Sequence, residues 1–100
     1  MKQEIFNQYV DRIIDLFGIK REELFSKTKK REIEDARHLL YYLCYRRPMT
    51  FGYIQKFMEA NGYDIKHSSI IHGVSSVSVK VKEDVDYAQV VKDMEKAVFI

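Results

Sequence analysis

Two short segments concentrate the side chains that could do chemistry. The first, Ser26-Lys27-Thr28-Lys29-Lys30-Arg31, carries four cations and no acid. The second, Lys66-His67-Ser68-Ser69-Ile70-Ile71-His72, combines a cation, two imidazoles and two hydroxyls. A clustered run of lysines is either a solvated loop or a phosphate-facing patch, and charge alone does not choose between them. His67 beside Ser68 and Ser69 suggests a nucleophile and its base. Adjacent residues on a helix rarely reach that geometry, and no acid adjoins them to orient the imidazole. His67 and His72 are five apart, whereas a helical metal pair wants four. Cys44 is the only cysteine, so neither an intrachain disulfide nor a cysteine-based zinc site can form. No catalytic residue, metal site or cofactor is expected.

These segments need elements to position them, and the periodicity is helical. Pro48 and four glycines are the only strong breakers. Residues 2–17 bring Phe6, Tyr9, Ile13 and Leu16/Phe17 to one face, with Gly18 as the stop. Residues 20–25 form a short turn that drops Leu24 and Phe25 onto the core, and 26–30 is a basic loop. A long helix over 31–47 has Ile33, Ala36, Leu40, Leu43 and Cys44 on one face. Its acids, Glu32, Glu34 and Asp35, lie at the start and Arg46 and Arg47 at the end, as the helix dipole favours. Thr50 caps a helix over 50–61, whose inner face is Ile54, Phe57 and Met58. Residues 66–80 obey two grammars. Val77, Val79 and Val81 alternate as in a strand, while Ile70, Val74, Val77 and Val81 follow helical spacing. With no convincing partner strand, a helix over 67–80 is expected. Residues 82–86 read as a charged break. A last helix over 87–99 carries Val90, Val91, Met94 and Val98 inward; its acidic outer face is expected to be a solvated flank. The expectation is one all-α, multi-helix domain over 1–100, with a helix-turn-helix at 50–61 and 67–80.

Composition permits a real core: 46% of residues are hydrophobic and 13% aromatic. Net charge is +2, but its distribution is uneven. Residues 20–47 net +4 and 53–82 net +2, while the two ends are acidic. No apolar run approaches the ~18 residues of a membrane span, and acids occupy the N-terminal stretch where a leader would be apolar. A cytoplasmic protein is expected. Tyr41, Tyr42, Tyr45, Tyr53 and Tyr63 suggest a stacking surface for single strands, but read better as core edges with wet hydroxyls.

Two blocks carry a resemblance to a known family. One is Leu24-Phe25-Ser26-Lys27-Thr28-Lys29-Lys30-Arg31-Glu32-Ile33, followed by Ala36-Arg37-His38 and Tyr42-Leu43-Cys44. The other is Lys66-His67-Ser68-Ser69-Ile70-Ile71-His72-Gly73. In order and spacing they resemble the DNA-binding domain of the bacterial replication initiator family DnaA, over about residues 8 to 97. The first is similar to that family's basic loop and the helix it feeds, the second to its recognition helix.

The resemblance implies double-stranded DNA as partner. It implies that Lys27, Lys29, Lys30 and Arg31 approach the minor groove, Lys29 standing at the inserted position. Arg37 and His38 are implied at the DNA backbone. Lys66, His67, Ser68 and Ser69 are implied at the major groove, and His72 at phosphate. The family's nucleotide-binding part has no counterpart here, because no GxxxxGK[ST] loop exists. A monomeric, non-enzymatic binder serving replication initiation or its regulation is implied, with a host replication protein as a further partner class. A phage or mobile element could use such a domain. The departures are specific. Lys66 stands where the family has an acid, Lys29 stands where it has an arginine, Ser69 lacks threonine's methyl, and Gly52 stands where the family often has a base-contacting proline. The turn before His67 is about four residues longer. They imply an altered site preference and leave a second class open: a structural or protein-interaction protein, such as a virion component or initiator antagonist.

Overall fold

A computed structural model describes residues 1–98. It contains six helices and, among the described residues, no strand. The order is α1 (Lys2–Phe17), α2 (Arg21–Leu24), α3 (Arg31–Arg46), α4 (Phe51–Ala60), α5 (His67–Glu83) and α6 (Val85–Ala97). The fold is all-α, as its sequence periodicity requires.

α3 is the central element. α1 and α5 pack along it, and α2 and α4 close its ends. Ile33, Ala36, Leu39, Leu40, Leu43 and Cys44 are fully buried along it. Each fully buried Leu or Ile contributes about 1.5–3 kcal/mol relative to exposure. Phe6, Tyr9, Val10 and Ile13 supply the facing stripe of α1. Gly18 ends α1 in the left-handed conformation, φ 63°, where its N–H caps the helix on Asp15 O and Ile14 O. Leu16, expected on this stripe, is 50% exposed.

α5 settles the competition between strand and helix. Ile70, Val74 and Val77 are buried against the core and Val81 is half-buried, whereas Val79 faces solvent. A strand would have needed a ladder partner, and α-helix satisfies its backbone internally. The helix runs to Glu83, so the charged break expected at 82–86 shrinks to Asp84. That residue ends α5 and caps α6, its carboxylate accepting from the Tyr87 N–H at 3.1 Å. α6 accordingly begins at Val85 rather than 87. Val91, Met94 and Val98 are buried as expected, but Val90 is not. The expected end of this helix at 99 lies outside the described residues.

The turn from α4 to α5 is structured, which explains how the extra residues are accommodated. Gly62 takes φ 92°, and the Tyr63 N–H returns to Met58 O at 3.0 Å. Tyr63 is buried, and Gln55 Nε2 donates to Ile65 O at 2.7 Å. Thr50 caps α4 as expected, accepting from the Tyr53 N–H at 3.2 Å.

Candidate nucleic-acid interface

The basic loop is held from within by alternate residues. Ser26 Oγ donates to Glu23 O at 2.8 Å and accepts from the Thr28 N–H. Thr28 Oγ1 accepts from the Lys30 N–H at 3.3 Å. Ser26 and Thr28 are part-buried, so Lys27, Lys29, Lys30 and Arg31 are left exposed. The Ser-Lys-Thr-Lys alternation thus separates residues that fix the loop from residues it presents.

Arg37 completes that scaffold, and here an expectation is corrected. It is 1% exposed and cannot touch a DNA backbone. Its Nε donates to Leu24 O at 2.8 Å, and its terminal nitrogens donate to Ser26 O at 2.5 Å, Thr28 O at 2.9 Å and Glu23 O at 3.4 Å. Glu34 pairs with it, and its guanidinium lies 4.4 Å from the Tyr63 ring centre. A planar five-donor fork suits this cluster of carbonyls, which a point charge would not. One side chain therefore ties the basic loop to α3 and to the turn before α5. The signal lay in the sequence: Arg37 stands at i+4 from Ile33 and i−3 from Leu40, inside the buried stripe.

α5 begins with Lys66 at its N-cap, and no side chain caps it. Its first turn holds no acid. His67, Ser68 and Ser69 are exposed there beside backbone N–H groups of positive partial charge, a natural setting for an anion. An open groove runs between this end and the basic loop, lined by Lys29, Glu59, Tyr63, Asp64, Ile65, Lys66 and Ser69, so two lysines share it with two acids. Lys29 also lines a second hollow with Lys27, Gly62, Tyr63 and Asp64, and a small cleft with Glu34, His38, Tyr41 and Ser69. The fold thus brings Lys29 together with Lys66 and Ser69 across the groove.

His38 and His72 meet between α3 and α5, their ring centres 5.6 Å apart and nearly perpendicular. His72 is exposed and His38 half-buried. Burial pushes the His38 pKa below its usual value; Glu34 opposes that shift, and His72 adds to it. Gly73 makes the close approach possible, because a Cβ there would lie 2.8 Å from Tyr41 Cδ2 and 2.9 Å from His38 Cδ2. Sequence reading missed Tyr63 and Gly73 as organisers of the site. Of the five tyrosines weighed for stacking, Tyr41, Tyr42 and Tyr63 are buried. Among the described residues, no group of three or more His, Cys, Asp or Glu side chains is arranged to hold a metal. No described helix is long and apolar enough to cross a membrane.

The arrangement is an all-helical domain in which loop cations and the start of a helix share one groove. No protein-family model matches the chain. It is 26% identical over 92 residues to the chromosomal replication initiator protein DnaA of Aquifex aeolicus (strain VF5). That alignment covers 92% of this chain and 22% of the initiator, so the chain spans about a fifth of that relative's length.

Proposed function

We propose that this chain binds double-stranded DNA with sequence preference, in replication initiation or its regulation. α4 and α5 act as a helix-turn-helix. The N-terminal end of α5 enters the major groove, with His67 and Ser68 at base edges and Lys66 at guanine or phosphate. The loop at 26–30 follows the adjacent minor groove, with Lys29 leading, and His72 meets phosphate. Phosphate contacts position the module, and base contacts specify its site.

The observation that carries this reading is the shared groove. Lys29, on a loop fixed by Arg37, faces Lys66 and Ser69 at the uncapped start of α5. Two projecting cationic elements with a gap between them suit adjacent grooves of one duplex. The likeness to a replication initiator supports the process assigned. Lys29 lacks the planar fork of the arginine that the resembled family has there, which weakens selectivity in the minor groove.

The test is selection from random duplex DNA by the purified chain at physiological salt, with sequencing of the bound pool. An enriched motif is expected, and His67→Ala should broaden it. A pool that stays random, or unchanged affinity after joint Lys29→Ala, Lys66→Ala and His67→Ala substitution, would overturn the reading.

A further inference from the structure

We propose that the groove between α1 and α6 docks a short cationic amphipathic helix of a partner protein. The inference uses no residue assigned to duplex recognition and stands independently of that reading.

The groove is made of apolar surface that the core does not use. α1 packs on α3, and α6 on α5. Between them, Leu16 of α1 and Val90, Met94 and Ala97 of α6 line an open hollow of about 520 Å³. Their spacing assigns Leu16 and Val90 to the buried stripes of their helices, yet Leu16 is 50% and Val90 37% exposed. Each helix thus carries an apolar stripe wider than the core covers, and the two surpluses share one hollow. Val90, Met94 and Ala97 recur four and three residues apart, one face of α6 about two turns long. An apolar trough between two helices is the receptor half of helix-in-groove recognition, in which a third helix lays in its anchors at i, i+3 or i+4, and i+7.

Charge selects the occupant. Asp15 and Asp93 line the same hollow, where Arg12 is the one cation. Asp86 is exposed one turn before Val90, on the same face of α6. Among the described residues neither Asp15 nor Asp93 is ion-paired, although the Asp93 carboxylate accepts from Gln89 Nε2 at 2.9 Å. Asp15 stands in the last turn of α1, where the helix dipole disfavours an acid, so stability does not account for it. Residues 83–100 net −3 and 1–19 net −1, opposite in sign to the basic middle of the chain. An apolar trough with this rim repels phosphate, whether of nucleic acid or of an anionic lipid, and attracts lysine and arginine.

The groove is also well separated from the basic loop. Arg46 pairs with Glu95 at 3.2 Å and Arg47 Nη1 donates to Val98 O at 3.2 Å, which fixes α6 at the C-terminal end of α3. The basic loop leads into the other end of that helix, about 24 Å away. A duplex and a partner helix can therefore be held at once.

The probe is a labelled peptide of ~16 residues, long enough to form a helix once held, with Leu at i, i+3, i+4 and i+7 positions and Lys elsewhere. In fluorescence anisotropy it should bind the purified chain, more weakly as salt rises. Joint Leu16→Gln and Val90→Gln substitution should weaken it by at least about fivefold. Joint Asp15→Asn and Asp93→Asn substitution leaves the apolar lining intact; it should weaken binding by at least about twofold and flatten the salt dependence. All four residues are exposed, and both variants should keep the parent's helical circular dichroism and duplex affinity. A peptide with Glu in place of Lys should not bind. Absence of binding by the Leu/Lys peptide, equal binding of the Glu peptide, or indifference to both double variants would overturn the proposal. Self-association in sedimentation that the Leu16→Gln, Val90→Gln pair abolishes would overturn it as well, by giving the groove to a second copy of the chain. A selected DNA pool that stays random would sink the duplex reading and leave this one standing.

Discussion

Arg37 shows how one buried side chain can fix the shape of an exposed loop. It gathers the carbonyls of Glu23, Leu24, Ser26 and Thr28 around a single guanidinium. Arg37→Ala strips these acceptors of their donor; Leu24 O is buried there and the other three carbonyls are part-buried, and a buried group left unsatisfied costs about 1–3 kcal/mol. A loss of about 1–3 kcal/mol is expected from thermal unfolding, and Arg37→Lys should recover little of it. A variant as stable as the parent would show that the loop does not depend on this fork. His38 predicts a pH dependence. Its folded pKa lies below the unfolded value of about 6.5, so the unfolded chain binds the proton more readily. Its contribution is present in full above that value and is lost as pH falls from there through the lowered folded pKa. Denaturant titrations across that window should show stability declining, and His38→Gln should flatten the decline.

At the scale of elements, the joints set the geometry. Asp84 alone separates α5 from α6, and its carboxylate caps the second helix. Asp84→Ala should cost about 0.5–2 kcal/mol, the usual value of a lost N-cap. In a domain of this size that lowers Tm by about 4–8 °C per kcal/mol. Asp84→Asn should keep most of the cap, and an alanine variant melting with the parent would show that the cap contributes nothing. The α4 to α5 joint is longer than the resemblance implies, yet Gly62, Tyr63 and Gln55 fix it. The joint is therefore ordered despite its length.

At the scale of the molecule, net charge is a poor guide. The chain carries only +2, but its exposed loop cations stand apart from the acidic ends. Duplex affinity should therefore fall steeply with salt through released counterions, despite the near-neutral total. Lys29→Ala should reduce the magnitude of that slope by about 0.9, the share of one phosphate contact. Arg12→Ala on α1, far in sequence from both cationic segments, is the control and should leave the slope alone. Equal slopes for parent and Lys29→Ala would remove Lys29 from the contact set. The dimensions, 33 × 31 × 25 Å with a radius of gyration of 12.3 Å, match one packed unit of this length.

The sequence by itself determined the helical class, most helix positions and the two segments where exposed cations concentrate. Hydrophobic spacing and the positions of Gly18, Pro48 and Thr50 are local signals, and helices are built from local bonds. Tertiary structure decided what those signals leave open. Arg37 reads as a surface cation by residue type; its place on the α3 stripe points inward, but only the packing of α2, the loop and the turn decides which carbonyls it ties. The valines of α5 favour strand by propensity, and the absence of a partner ladder together with the face offered by α3 made them helical. Tyr45 and Tyr53 are the same residue type as Tyr41, Tyr42 and Tyr63, yet burial divides them. The groove between Lys29 and Lys66 joins residues 37 positions apart in the chain. No local pattern encodes that distance, because it arises from how α3 packs against α5.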